Sequence, residues 1–322
     1  MAKIAVASEP VPAPHSPGDA PGRLARHLLA RGDGWSVSDV LCTAGPRDRP
    51  FEEQHSGPGL AIVAAGTFQY RSTAGRELMT PGSLLLGNSG QYFECGHEHG
   101  VADRCISFSY EPEYFDGLAE EAGVRTYFSS LRVPPVRELS ALLARAYAAI
   151  FKSARAPLSQ QQRSFVTQPD RRARNSEESA CSSPATAMWE EVGVELAVGA
   201  LQFEGGRESN RNNSSAAEAR VTRIVRLIEN RPTATHNLRQ LAGEAKLSRY
   251  HFIRIFQQLT GLTPHQYVLR ARLLHAATRL LLEPARVLDV ALDSGFGDVS
   301  NFNHAFLAEF GVSPRSYRTD AR

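Results

Sequence analysis

Lysine is nearly missing from this 322-residue chain: Lys3, Lys152 and Lys246 are its only lysines, so arginine carries almost all of the positive charge. Cysteine is scarce too, with Cys42, Cys95, Cys105 and Cys181 in the whole length. Four thiols over such a length do not make the dense disulfide framework of a small secreted domain. No apolar run reaches the roughly 20 residues that a membrane-spanning helix needs. The opening "MAKIAVASEPVPAPHSPGDAPG" is proline-rich and lacks the apolar centre of a signal peptide, so residues 1–34 read as a disordered tail on a cytoplasmic protein. What remains is long enough for two domains with separate cores.

The formal net charge of +2 conceals an asymmetry. From Arg220 to Arg318 the chain holds 14 Arg and Lys against 7 Asp and Glu, whereas the 219 residues before it hold 21 against 26. A basic last third is what a module that neutralises phosphates requires.

That third also contains a repeat. In "SRYHFIRIFQQLTGLTPHQYVLR" the anchors are Phe252, Phe256, Gly261, Pro264 and Tyr267; in "VSNFNHAFLAEFGVSPRSYR" they are Phe302, Phe306, Gly311, Pro314 and Tyr317. Both sets step by four, five, three and three residues. Phenylalanines four apart form one apolar stripe of a helix. The glycine suits the left-handed residue that closes the helix, and proline forbids its continuation. Asp298 or Ser300 can cap the second copy at its start. A second short helical pattern precedes each copy, "NLRQLAGEAK" and "RVLDVALDSG", each with an alanine (Ala242, Ala291) where two helices cross closely. Ala242 lies ten positions before Phe252, while Ala291 lies eleven before Phe302, so the two turns differ by one residue. Two helices joined by a tight turn, the second with a polar outer face, make a helix-turn-helix. Here there are two.

Residues 220–318 resemble the DNA-binding domain of the AraC/XylS transcriptional regulators. The closing pattern is the most specific part: Ala291, Gly295, Phe296, Phe302, Phe306, Gly311, Ser313, Pro314, Tyr317 and Arg318. The resemblance implies seven helices, with a long one from roughly 264 to 282 holding the two motifs apart. The inward stripe of Phe252, Ile255, Phe256 and Leu259 leaves Arg249, Tyr250, His251, Ile253 and Arg254 facing outward. Arginine can pair bidentately with guanine, and an apolar side chain can meet a thymine methyl. By resemblance, Tyr250, Ile253 and Arg254 fall on the base-contacting positions, and Arg249 suits a phosphate. Val299, Ser300, Asn303 and His304 occupy the corresponding places in the second helix. His304 stands where the family often has arginine, and Leu307, Ala308 and Glu309 where it is often basic. The second motif is therefore expected to bind more weakly.

Residues 35–132 read as β-structure: "WSVSDVLCT", "GLAIVAAGTFQYRST", "GSLLLGNSG", "QYFECG" and "RCISFSY" are short alternating or apolar runs separated by Gly, Pro and Asn. Many strands without intervening helices imply a sandwich or barrel. Their order resembles the jelly-roll, cupin-like sensor domain that precedes the DNA-binding domain in many members of the same family. "PGSLLLGNSGQYF" resembles the second cupin motif, with Phe93 at the place of its metal-binding histidine. In its stead stands "CGHEHGVADRC", with Cys95, His97, Glu98, His99, Asp103 and Cys105. Three readings fit this cluster: a transition-metal (zinc-like) site of Cys95, His97 and His99, a Cys95–Cys105 redox pair, or a polar loop. His55 is a further candidate for lining the same cavity.

Residues 133–151 and 185–203 have helical apolar periodicity and resemble the family's dimerisation element. Between them 152–184 is polar and reads as a disordered insertion, and 204–219 reads as a flexible tether. The expected whole is a non-enzymatic, homodimeric regulator acting on double-stranded promoter DNA. Its N-terminal domain takes a small-molecule or metal effector, and RNA polymerase is a partner by resemblance. A cupin-like metalloenzyme with a DNA-binding tail, and a constitutive architectural binder with a degenerate sensor, are the alternatives.

Overall fold

The computed structural model describes residues 24–50, 52–97, 102–137, 140, 143, 146, 184–203 and 215–320. Among the described residues its N-terminal half has ten strands: β1 (Leu24–Gly32), β2 (Trp35–Cys42), β3 (Glu52–Gln54), β4 (Gly59–Gly66), β5 (Phe68–Ser72), β6 (Gly75–Met79), β7 (Leu84–Gly87), β8 (Tyr92–Gly96), β9 (Asp103–Tyr110) and β10 (Arg132–Val133). They form a six-stranded sheet in the order β1-β2-β9-β4-β7-β10 and a four-stranded sheet in the order β3-β8-β5-β6. Every pairing is antiparallel.

Strand alternation explains why the larger sheet is apolar on both faces. Val40, Ala61, Val63, Leu85 and Cys105 face the smaller sheet and pack with Phe68, Tyr70, Met79, Phe93 and Cys95. Trp35, Val37, Leu60, Ile62, Ile106 and Phe108 face the other way, against two helices, α1 (Pro112–Glu121) and α2 (Pro184–Gln202). Helix α2 contributes Trp189, Val192, Leu196 and Ala200 to that layer. The run "GLAIV" is apolar throughout because both of its sides are buried.

The C-terminal half holds seven helices among the described residues: α3 (Ser215–Asn230), α4 (Leu238–Glu244), α5 (Arg249–Thr260), α6 (Pro264–Leu282), α7 (Val287–Asp293), α8 (Val299–Phe310) and α9 (Pro314–Asp320). Two cores flank the long α6. Phe252, Phe256 and Tyr267 pack with α3 in one; Phe302, Phe306, Phe310 and Tyr317 pack with Ala291 in the other. The long helix spans the interval expected from the sequence.

Several boundaries differ from the expectation. The tail 1–34 was to be disordered; residues 24–32 instead form β1, an edge strand paired with β2. "LARHLLARG" hides this because most of its side chains stay exposed, so it lacks the apolar alternation of an inner strand. The helix expected over 133–151 begins later: Val133 lies in β10, and Ser140, Leu143 and Ala146 are helical. Pro184 is the first residue of α2, so it does not belong to the insertion. Residues 215–219 belong to α3, not to the tether. The remainder of the tail, insertion and tether lies outside the described residues.

Candidate functional site

The two helix-turn-helix units are built alike, residue by residue. Ser248 caps α5, accepting from the His251 N–H at 3.3 Å, and Asp298 caps α8, accepting from the Asn301 N–H at 2.7 Å. Gly261 (φ 83°) and Gly311 (φ 74°) close the two helices in the left-handed region. Pro264 and Pro314 then open α6 and α9. Each turn has a left-handed residue four positions after the crossing alanine: Lys246 in the first, Gly295 in the second. The next amide returns to that alanine's carbonyl in both, Leu247 to Ala242 at 3.0 Å and Phe296 to Ala291 at 3.2 Å. Ser248 follows at once in the first unit, whereas Gly297 intervenes before Asp298 in the second. The extra residue noted in the sequence is therefore inserted after the turn proper.

The expected DNA-facing side chains fall on the free faces. Arg249, Tyr250, His251 and Arg254 are exposed and Ile253 is half-buried; Tyr250 is 77% exposed, a degree unusual for a large aromatic. In α8, Ser300, Asn303 and His304 are exposed. Val299, the first residue of that helix, packs partly against the second core.

A feature not legible from periodicity is how the two halves meet. The buried Arg132 of β10 donates through Nη1 to the carbonyls of Leu78 (2.8 Å) and Leu259 (2.6 Å), and its Nε lies 3.4 Å from Glu77. Five residues on, Arg137 Nε donates to the Ala308 carbonyl at 2.8 Å. The Ser140 hydroxyl donates to Glu309 at 2.8 Å, and Glu309 also pairs with Arg270 of α6 at 3.2 Å. Leu259 and Ala308 end α5 and α8, where carbonyls have no partner within the helix. One short segment thus caps both. On the other side of the domain, Glu218 at the start of α3 accepts from Gln69 at 2.8 Å and from Arg76.

Inside the β-sandwich, His55 and Phe93 stack with centroids 4.2 Å apart, and His55 Nε2 meets the Tyr70 hydroxyl at 2.8 Å. Phe93, which the sequence resemblance sets at the cupin histidine position, stands there as a ring stacked on His55. Burial, aided by the Arg26 charge, lowers the His55 pKa to about 4, so the ring is neutral at pH 7. Deeper along the same interior, His97 Nε2 lies 2.5 Å from Asp103 Oδ2, and the Cys105 thiol lies 3.6 Å from Asp103 Oδ1. Burial acts to lower the His97 pKa, but hydrogen bonding to Asp103 and Cys42 outweighs it and raises the value to about 9.

The cluster differs in membership from the expected Cys95, His97 and His99. His99 and Glu98 lie outside the described residues, and Cys95 is not among the close donors; the residues brought together are Cys42, His97 and Asp103, all buried. Cys42 escaped notice because it lies about fifty residues upstream and arrives through the β2–β9 pairing. Asp103 was named in the cluster but not among the metal donors; its alternation with Cys105 along β9 is the signal that could have put it there. For the redox pair, Cys95 and Cys105 are free thiols, and burial pushes both well above the usual thiol range, away from the thiolate that exchange requires.

A cupin-like β-sandwich joined to a double helix-turn-helix domain defines a class of two-domain proteins. Residues 42–168 match the family model for an AraC-like ligand binding domain, and residues 241–320 match a helix-turn-helix domain. The HTH-type transcriptional regulator MtrA of Neisseria gonorrhoeae is 32% identical over 103 residues, covering 32% of this chain and 34% of the relative. The HTH-type transcriptional activator RhaS of Escherichia coli O157:H7 is 32% identical over 135 residues, covering 42% of this chain and 47% of the relative. The chain therefore spans a third to about half of these relatives. Among solved structures, the DNA-binding domain of AdpA in complex with a target DNA is 29% identical and covers 32% of this chain and 92% of that chain, with a TM-score of 0.31. The two matched segments, an AraC-like ligand binding domain and a helix-turn-helix domain, are those of AraC/XylS-family regulators.

Proposed function

We propose that this chain is a sequence-specific DNA-binding transcriptional regulator whose α5 and α8 enter two successive major grooves, about one helical turn apart, on one face of the duplex. The observation that carries this reading is the duplicated unit. Two helices with the same capping, each anchored by buried phenylalanines, present polar outer faces from opposite ends of α6. The basic charge of this half supports it, as do the regulator and activator descriptions of the two relatives. Tyr250, Ile253 and Arg254 read base edges, Arg249 and His251 flank them toward phosphate, and Ser300, Asn303 and His304 make the weaker second contact.

The N-terminal domain, in this reading, is a sensor and not an enzyme. Its effector is held either against the His55, Tyr70 and Phe93 group or at the thiol, imidazole and carboxylate of Cys42, His97 and Asp103. The chain acts as a homodimer in the cytoplasm, with RNA polymerase as its partner at the promoter. No helix among the described residues is long and apolar enough to cross a membrane.

Selection of bound sequences from a random duplex pool by the full chain tests the reading. A site with two half-elements separated by about 10 base pairs is expected, with affinity falling steeply as salt rises. Uniform retention of all sequences sinks it.

A further inference from the structure

Strand parity brings five donor side chains to one end of the sandwich interior. On the larger sheet, Cys42 and Asp103 are directly opposed across β2 and β9, so their side chains share a face, and Cys105 follows Asp103 by two on that face. On the smaller sheet, Phe93 and Cys95 of β8 point inward, and His97 lies two residues beyond Cys95. One end of an otherwise apolar interior, lined by Val40, Val63, Phe68 and Met79, therefore collects a thiol, an imidazole and a carboxylate.

From this arrangement we propose that Cys42, His97 and Asp103 bind one borderline divalent transition metal of the zinc type. Their donor atoms, one from each residue, lie within 4.8 Å of one another. Sulfur and nitrogen donors exclude magnesium and calcium, which take oxygen, and suit zinc or cobalt. A thiolate, a neutral imidazole and a carboxylate carry two negative charges, which a divalent cation neutralises; a monovalent ion leaves one buried and uncompensated. The Cys105 thiol donates to Asp103 Oδ1, which orients the carboxylate so that Oδ2 faces His97. To take up the metal, His97 Nε2 and Asp103 Oδ2 must part from 2.5 Å to about 3.3 Å, the edge of a tetrahedron with bonds of roughly 2.0 Å. Side-chain rotation supplies that. The thiol and imidazole are deprotonated on binding, and the protons leave to solvent.

The site is distinct from the cupin position that Phe93 fills, and it stands apart from the DNA-reading proposal. The test is titration of the full chain, stripped with a chelator and kept reduced, with Co(II) as the optical probe. One equivalent is expected to bind, with a thiolate-to-cobalt charge-transfer band that Zn(II) abolishes and a rise in Tm with either metal. Cys42→Ser should remove the band, and Asp103→Asn should weaken binding at least tenfold, while Cys95→Ser should retain the band. Absence of uptake by the unmodified chain overturns the proposal and leaves a self-satisfied polar cluster. A band that survives Cys42→Ser but is lost in Cys95→Ser also overturns it. Duplex binding measured on the same sample keeps a failure here separate from failure of the DNA-reading proposal.

Discussion

Arg132 and Leu259 are 127 residues apart in sequence, yet the Arg132 guanidinium donates to the Leu259 carbonyl at 2.6 Å. The same Nη1 donates to the Leu78 carbonyl, so one side chain joins β6 of the sandwich to the last turn of α5. Gly261 follows in the left-handed region beside Pro134; a Cβ there would stand 2.5 Å from the proline ring. With Arg137 on Ala308, β10 and the segment that follows it touch the C-terminal ends of both α5 and α8.

Replacing Arg132 by Leu leaves two carbonyls without this donor and Glu77 without this cation. Loss of charged, buried hydrogen bonds of this kind costs about 3 kcal/mol. Urea unfolding of the full chain should show a midpoint lowered accordingly. A midpoint equal to that of the unmodified chain would mean that the bridge contributes nothing to stability.

Substitutions at Arg254 and Arg249 test base reading against positioning. Arg254→Ala is expected to cost about 1–3 kcal/mol of DNA affinity and to relax preference at one or two base pairs, as loss of a bidentate base contact does. Arg249→Ala should weaken all sequences about equally. Competition binding with point-mutated operators measures both, and equal sequence-independent losses would demote Arg254 to a phosphate contact.

Glu309 changes meaning between sequence and structure. In the sequence it reads, with Leu307 and Ala308, as a departure from the basic residues common there in the family it resembles, and so as part of a weaker second contact. In the structure its carboxylate is turned toward Ser140 and Arg270. Glu309→Gln should therefore leave the slope of log affinity against log salt unchanged while lowering stability by about 1–2 kcal/mol. A slope that steepens by about one would mean that the Glu309 carboxylate faces the DNA instead.

What was legible came from short-range regularity. The four-residue phenylalanine spacing, the closing glycines and the capping Asp298 act within one or two turns of helix, so α5, α6 and α8 could be placed from the sequence, whereas the Ser248 cap was found only in the structure. The β-sandwich was legible as a class, but β1 was missed because an edge strand with exposed side chains shows no alternation. Cys95 and His97 were recognised as candidates because they are neighbours. Cys42 was not, since its contact depends on the register of β2 against β9, and the clamp from Arg132 to Ser140 depends on how two separately folded cores dock. Neither leaves a periodic trace.

His55 gives the sandwich a dependence on pH. Its ring stacks on Phe93 and meets the Tyr70 hydroxyl, and the nearby Arg26 charge adds to burial in disfavouring the protonated form. Its pKa is about 4 in the folded chain against an ordinary value of 6.5. Between these values the unfolded chain binds the proton and the folded chain does not, so stability from this group is complete above pH 6.5 and is lost as the pH falls toward 4. His55→Gln keeps a hydrogen-bonding group near Tyr70 but cannot take up the proton. From pH 7 to pH 5 the unmodified chain should lose about 1–2 kcal/mol more than the variant, read as the difference in urea midpoints at the two pH values. Parallel losses in the two chains would show that His55 titrates normally, and therefore that its ring is not held in the stacked, buried position against Phe93.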